Sequence, residues 1–193
     1  MRATKTQAER REQTRRALIA AARRLFADKG FAGTSTPEIA VAAGVTRGAL
    51  YHHFADKAAL FAAVVAEEHL LIAMAVNAAA AGEDEPGPIK VVLGGCYAFL
   101  DAMADPGRRR IMLVDAPAVL GPEAMAAIAG THGLSAMVHR LDDAMEAGAI
   151  RRLPIEPLAQ LLSAMVDRAA MAPEAEQADY RKAIKALVRG LKT

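Results

Sequence analysis

The sequence predicts an all-α protein of about nine helices, the first three folded as a helix-turn-helix head. Three observations predict it. The chain is 53% hydrophobic yet alanine-rich, with eight aromatic residues and no tryptophan, and alanine, leucine, arginine and glutamate lose little on entering a helix. Ser/Thr and Glu recur at capping-box spacing just ahead of apolar residues repeating every three to four positions. Glycine or proline punctuates each repeat. A chain of 193 residues buries roughly two-thirds to three-quarters of its unfolded surface, enough for a core without staples.

The first helix opens in "TQAERREQTRRALIAAARRLFADKG" with Thr6 and Glu9 as a capping box. It presents Leu18, Ala21, Ala22, Leu25 and Phe26 on one face and stops at Gly30. In "GTSTPEIAVAAGV", Ser35 and Glu38 repeat the box, Pro37 suits a first turn, and Gly44 ends a helix of about two turns. Thr46 N-caps a third helix to about His53, and Asp56 caps a long fourth from Lys57 to about Ala80. "AGVT" between the second and third helices has the length and the glycine of a helix-turn-helix. Val45, Leu50 and Phe54 turn inward there to meet Leu25, Phe26, Phe31, Ile39 and Ala43, and five of the eight aromatics precede residue 62. Beyond the charged link "GEDEPGP", helices are expected at Pro88–Ala104, Arg108–Asp115, Pro122–Gly148, Pro157–Ala172 and Glu174–Leu191, with "DPG", "APAVLGP", "RRLP" and "AP" as breaks.

Charge is divided unevenly. Residues 1–60 carry a net +6 and residues 61–193 a net −4, which suits a polyanion-binding head on a body with another task, although a solvated helix face gives the same pattern. The single cysteine, Cys96, excludes an intramolecular disulfide and a multi-cysteine metal cluster and fits a reducing cytoplasm. The longest apolar run, starting at Leu70, reads as too short and alanine-rich for a bilayer, and no export signal is evident, so no membrane partner is expected. Gly94-Gly95 lacks phosphate-loop spacing, no repeat of roughly 20 to 50 residues occurs, and no cofactor is expected.

The stretch "GVTRGALYHHFADK" suits DNA. A helix fits the major groove with its N-terminal residues at base edges and its free N–H groups toward phosphate. Arg47 in the first turn has the geometry for a bidentate bond to guanine, and Gly48 and Ala49 keep the helix surface thin. Thr46, Tyr51, His53 and Lys57 offer donors for phosphate oxygens, while His52 points elsewhere and reaches toward a base. Each has a plainer reading: a packed tyrosine, a glycine relieving crowding, a solvated lysine. Adjacent histidines lie on different helix faces and make poor joint metal ligands, so no metal is expected.

The run "TSTPEIAVAAGVTRGALYHHFADKAAL" resembles the helix-turn-helix signature of the TetR (tetracycline-repressor) family of transcriptional regulators. It matches in the threonine pair, "IA", "AGV", the Thr-basic-Gly triplet and "LYHHF..K..L", over about residues 10–62. The resemblance implies a cytoplasmic homodimer with a DNA-binding head, residues 1–56, and a helical effector-binding and dimerisation domain, residues 57–193. It also implies that Ser35, Thr36, Thr46, Arg47, Gly48, Tyr51, His52, His53 and Lys57 stand where the family touches a pseudo-palindromic operator. Pro37 replaces a commonly polar residue and Ala49 is smaller than in some relatives, so readout leans on Arg47 and His52.

"RRRIMLVDAPAVLGPEAM" resembles the family more loosely and leaves the effector open. Effector sites between helices are apolar with a few oriented polar groups, and flexible methionines adapt to varied ligands. Cys96, Tyr97, Leu100, Met103, Met112, Asp115, Met137 and Met165 are the residues expected to line such a site, core packing being the alternative for each. Stripes at Leu158, Leu161, Leu162, Met165 and Val166, and at Ile184, Leu187, Val188 and Leu191, fit a four-helix dimer interface or, alternatively, each subunit's own core. A two-fold dimer reads DNA only when its recognition helices stand about 34–36 Å apart, so an effector that tilts the fourth helix releases a repressor. Two rival functions remain: a helical module whose basic face binds acidic proteins or membranes, and an enzyme pairing Cys96 with His132 or His139.

Overall fold

The computed structural model describes residues 6–81, 87–132 and 134–193, and the side chains of all of these except 80, 81 and 129–132. Most of the "GEDEPGP" link and the His132 side chain lie outside the described residues. Among them the fold is all-α, with one isolated bridge pairing Ile150 with Lys192 near the C-terminus.

The head follows its caps. Helix α1, Gln7–Lys29, starts at a complete Thr6/Glu9 capping box and stops at Gly30, whose φ of +75° favours glycine. α2, Thr36–Ala42, starts at the Ser35/Glu38 box, and Gly44, φ +68°, turns the chain into α3, Arg47–His53, N-capped by Thr46. α4, Lys57–Ala81, begins where Asp56 accepts the Ala59 N–H at 2.7 Å. Phe26, Phe31 and Phe61 meet with ring centroids 5.0 to 5.8 Å apart, fastening α1 and the loop after it to α4.

The body departs from expectation in two places. "DPG" is a helix start: Asp105 accepts the N–H groups of Gly107 and Arg108, and α6, Pro106–Arg109, follows α5, Pro88–Ala102. α6 then continues without a break into a π-turn, Arg110–Asp115, and α7, Ala116–His132, so that part of "APAVLGP" is helical. The chain breaks only at Gly121, φ +76°, directly before Pro122. The helix expected over Pro122–Gly148 is described as α7 up to His132 and as α8, Leu134–Glu146, with residue 133 between them outside the described residues. α9, Ile155–Ala170, is closed by Gln177, whose Nε2 donates to the carbonyls of Ala169 and Ala172; a 3₁₀ turn, Glu174–Glu176, leads into α10, Gln177–Arg189.

α4 packs against α1, α5 and α7, and one apolar cluster runs from Leu18 in α1 to Val188 in α10. The expectation that no segment has the length and apolarity of a membrane span fails for two segments. Lys57–Ala79, mean hydropathy 1.9, and Pro106–Ile128, mean hydropathy 1.5, meet both criteria. In the fold Leu60, Phe61, Val64, Val65 and Ile72 of α4 are core residues, which is what a central helix of a packed bundle also requires.

Candidate functional site

The helix-turn-helix leaves one face of α3 open. Leu50 is fully buried and anchors the helix, while Thr46, Arg47, Gly48, Tyr51 and His52 are exposed. Thr46 Oγ1 accepts the Ala49 N–H at 3.1 Å, fixing the first turn. The Arg47 guanidinium stands 5.5 Å from the Tyr51 ring centroid, and the Tyr51 hydroxyl lies 3.1 Å from Thr36 Oγ1. Thr36 and, secondarily, Arg47 draw the Tyr51 phenol below its ordinary pKa. The result is a braced row from α2 across α3 with the arginine on top. A Cβ at Gly48 would meet nothing nearer than Thr46 Oγ1 at 3.9 Å. Crowding within the chain therefore does not explain this glycine, which costs a helix interior about 0.5–1 kcal/mol relative to alanine.

Three expected contact residues stand differently. The Lys57 ammonium donates to the carbonyls of Phe31 at 2.8 Å and Thr34 at 2.9 Å and lies 4.2 Å from the Phe31 ring centroid, so it stitches the loop before α2 to α4. Ser35 is engaged in its capping box, with Oγ donating to Glu38 at 2.7 Å. Lys29 and Ser35 hold the Glu38 carboxyl down at about 2. His53 is half-buried beside α1; burial first, then His52, Arg11 and Arg15, lower its pKa and favour the neutral ring.

A cavity of 610 Å³ lies in the body between α4, α5, the π-turn, α7, α8 and α9. Of the residues expected there, Cys96, Met103, Met112 and Met137 line it. The others point elsewhere. Tyr97 donates to the Arg181 carbonyl at 3.3 Å on α10, Leu100 is buried core, and Met165 packs against the core outside the cavity. Asp115 accepts the Phe31 N–H at 2.9 Å, so its place one helical turn from Met112 does not bring its carboxylate inside. Phe99, Met125, Met171, Arg140 and Asp167 are among the wall residues that were not anticipated. Their signal was there for the two charges: Met137, Arg140, Leu141 and Ala144 form one stripe, and Ser163, Asp167 and Met171 another, each an apolar pattern interrupted by an ion. Burial pushes the Cys96 thiol up to about 11 and the Asp167 carboxyl up to about 6, and it lowers the Arg140 pKa.

Two sets of contacts join this body to the head. Arg110 of the π-turn donates to the carbonyls of Asp28 and Lys29 at 3.0 and 3.1 Å, capping the last turn of α1. Buried Glu68 of α4 accepts from Arg23 of α1 at 2.6 Å and from Arg108 of α6 at 2.5 Å, and Arg23 also reaches Asp105 at 2.9 Å. Gly107 lets α6 approach: its Cβ would stand 2.6 Å from that of Ala27.

Two family models match the chain. Residues 18–64 match the family model for bacterial regulatory proteins of the tetR family, and residues 89–192 match the model for the tetracyclin repressor-like C-terminal domain. The chain belongs to the TetR family. A crystal structure of a TetR-family transcriptional regulator from Pectobacterium atrosepticum is similar over 98% of both chains, with a TM-score of 0.80 and 31% identity. The HTH-type transcriptional repressor BepR of Brucella suis is 32% identical over 117 residues, 58% of this chain and 52% of that protein. The HTH-type transcriptional regulator AcrR of Shigella flexneri is 52% identical over 62 residues, 32% of this chain and 28% of that protein. The matched stretches thus span about half or less of these curated TetR relatives.

Proposed function

We propose that this protein is a sequence-specific DNA-binding transcriptional regulator, a repressor that a small-molecule effector releases from its operator. The exposed, braced face of α3 carries the reading. Arg47 is free of any ion pair among the described residues, is held against Tyr51, and stands in the first turn, from which a guanidinium meets guanine O6 and N7 in a major groove. Gly48 beside it gives the backbone a close approach to DNA. Thr46, Tyr51 and Thr36 offer hydroxyls to phosphate and His52 an imidazole to a base, while Ser35, His53 and Lys57 support the head from its rim.

The functional division falls where α4 begins, with residues 1–56 reading DNA and 57–193 binding effector and partner. The partner is a second copy of the chain, docked through α9 and α10. Of the stripes on these helices, Leu162, Val166, Ile184 and Val188 are buried in their own subunit, whereas Leu161 is 70% and Leu187 61% exposed. Two leucines facing outward from adjacent helices are suited to a self-complementary four-helix contact. An effector in the cavity touches α4 and the π-turn together, and both are bound to α1, so occupancy changes the spacing of the two heads. This regulator acts in the cytoplasm. Selection of bound fragments from a random duplex pool tests the proposal: a two-fold symmetric consensus is expected, and recovery of unrelated sequences contradicts it.

A further inference from the structure

Within the cavity two half-buried charges are in different situations. Arg140 donates through Nη2 to the carbonyl of Val76 at 3.2 Å and to Asn77 Oδ1 at 2.8 Å, so its guanidinium is held by α4. Arg168 lies with its guanidinium 5.5 Å from the Tyr180 ring centroid on α10. Asp167, on the cavity face of α9, receives no side-chain or backbone donor among the described residues and forms no ion pair with either arginine. A carboxylate at such a site costs several kcal/mol unless something with a positive charge or an N–H group meets it.

The rest of the wall is suited to that something. Met103, Met112, Met125, Met137 and Met171 supply polarisable sulfur, and Phe99 an aromatic ring, around a volume that holds a drug-sized molecule. Aromatic faces attract cations and repel anions. We infer that the effector is a cationic amphiphile, an apolar, ring-containing body bearing a protonated amine or amidine, whose charged nitrogen pairs with the Asp167 carboxylate while the methionines and Phe99 enclose the body. This inference rests on the cavity being an effector site. Burial alone raises the Asp167 carboxyl, and no counter-charge offsets it, which is the state expected of a group whose partner arrives with the ligand.

The test uses three fluorescent probes with one apolar body and three charges: 3-(9-anthryl)propylamine, the corresponding propanol and the corresponding propionate. They are titrated into the full-length protein and into Asp167→Asn, with far-UV circular dichroism confirming that the variant is folded. The amine is expected to bind the wild type at least tenfold tighter than the alcohol, with the propionate weakest. Asp167→Asn is expected to erase the amine's advantage while leaving alcohol binding within about twofold. Equal binding of all three probes, tightest binding of the propionate, or an amine preference that survives in Asp167→Asn overturns the assignment of ligand class and leaves the effector site standing. Failure of every probe to bind the wild type overturns both.

Discussion

Asp115 accepts the backbone N–H of Phe31 at 2.9 Å, a bond that runs from the π-turn at the cavity wall to the loop leading into α2. Met112 and Leu113 of the same turn line the cavity, and Arg110 at its start caps α1. One six-residue segment therefore lines the cavity and holds the head at two points. Such π-turns are rare and frequently found at functional sites. Asp115→Ala is expected to lower stability by about 1.5–3 kcal/mol, the range for a hydrogen bond to a charged group. It is also expected to weaken operator binding through a misplaced α2. Urea unfolding and duplex anisotropy check the two effects.

Glu68 holds Arg23 and Arg108 together at the junction of α1, α4 and α6. The Glu68 side chain is 3% exposed, whereas the two arginine side chains remain 32% and 21% exposed. Removing the carboxylate strands two cations that are still partly hydrated, so Glu68→Ala is expected to cost about 2–4 kcal/mol, somewhat below the range for a fully buried pair. Glu68→Gln, which keeps the size but not the charge, is expected to fall between. A urea midpoint for Glu68→Ala equal to wild type contradicts this role.

The caps and periodicities of the head were legible in the sequence because each is local. Thr6/Glu9, Ser35/Glu38, Thr46 and Asp56 set their helix starts through bonds spanning three residues. What could not be read is long-range. The pairing of Arg23 with Glu68 spans 45 residues and that of Asp115 with Phe31 spans 84, and no local pattern marks them. Lys57 illustrates the limit: its place after "HHF..K" suggests a phosphate contact, yet its ammonium is committed to the Phe31 and Thr34 carbonyls. The π-turn was equally hidden, since an i to i+5 register leaves the composition of a helix unchanged.

Asp167 makes stability depend on pH with a definite sign. Its folded value of about 6 lies above its ordinary 3.8, so the folded state keeps a proton that the unfolded chain has released. That contribution is fully present below about pH 4 and is lost as pH rises through 6. Asp167→Asn is therefore expected to match wild type near pH 4 and to exceed it by about 1–3 kcal/mol at pH 7. Thermal unfolding at the two pH values reads the difference, and a constant gap refutes the assignment.

Cys96 is 1% exposed and its thiol is pushed up to about 11, so at pH 8 almost none of it is thiolate. Iodoacetamide is expected to label the native protein no faster than global unfolding permits and to label it at once in denaturant. Rapid native labelling would revive the reading of this residue as a nucleophile.

Gly48 is expected to give effects of opposite sign. With nothing nearer its Cβ position than Thr46 Oγ1 at 3.9 Å, an ordinary van der Waals contact, Gly48→Ala is expected to stabilise the fold by about 0.5–1 kcal/mol. The same methyl group, standing beside Arg47 on the exposed face, is expected to weaken operator binding several-fold. Thermal unfolding and anisotropy on one preparation separate the two.

The central claim, that Arg47 on α3 reads bases, is tested most directly by comparing affinities for the selected duplex and for a scrambled duplex of the same length at fixed salt. Wild type is expected to prefer the selected duplex by at least about a thousandfold. Arg47→Ala is expected to lose about 1–3 kcal/mol of that preference while changing affinity for the scrambled duplex far less. Equal affinity of the wild-type protein for the two duplexes, or a uniform loss on both in Arg47→Ala, would contradict it.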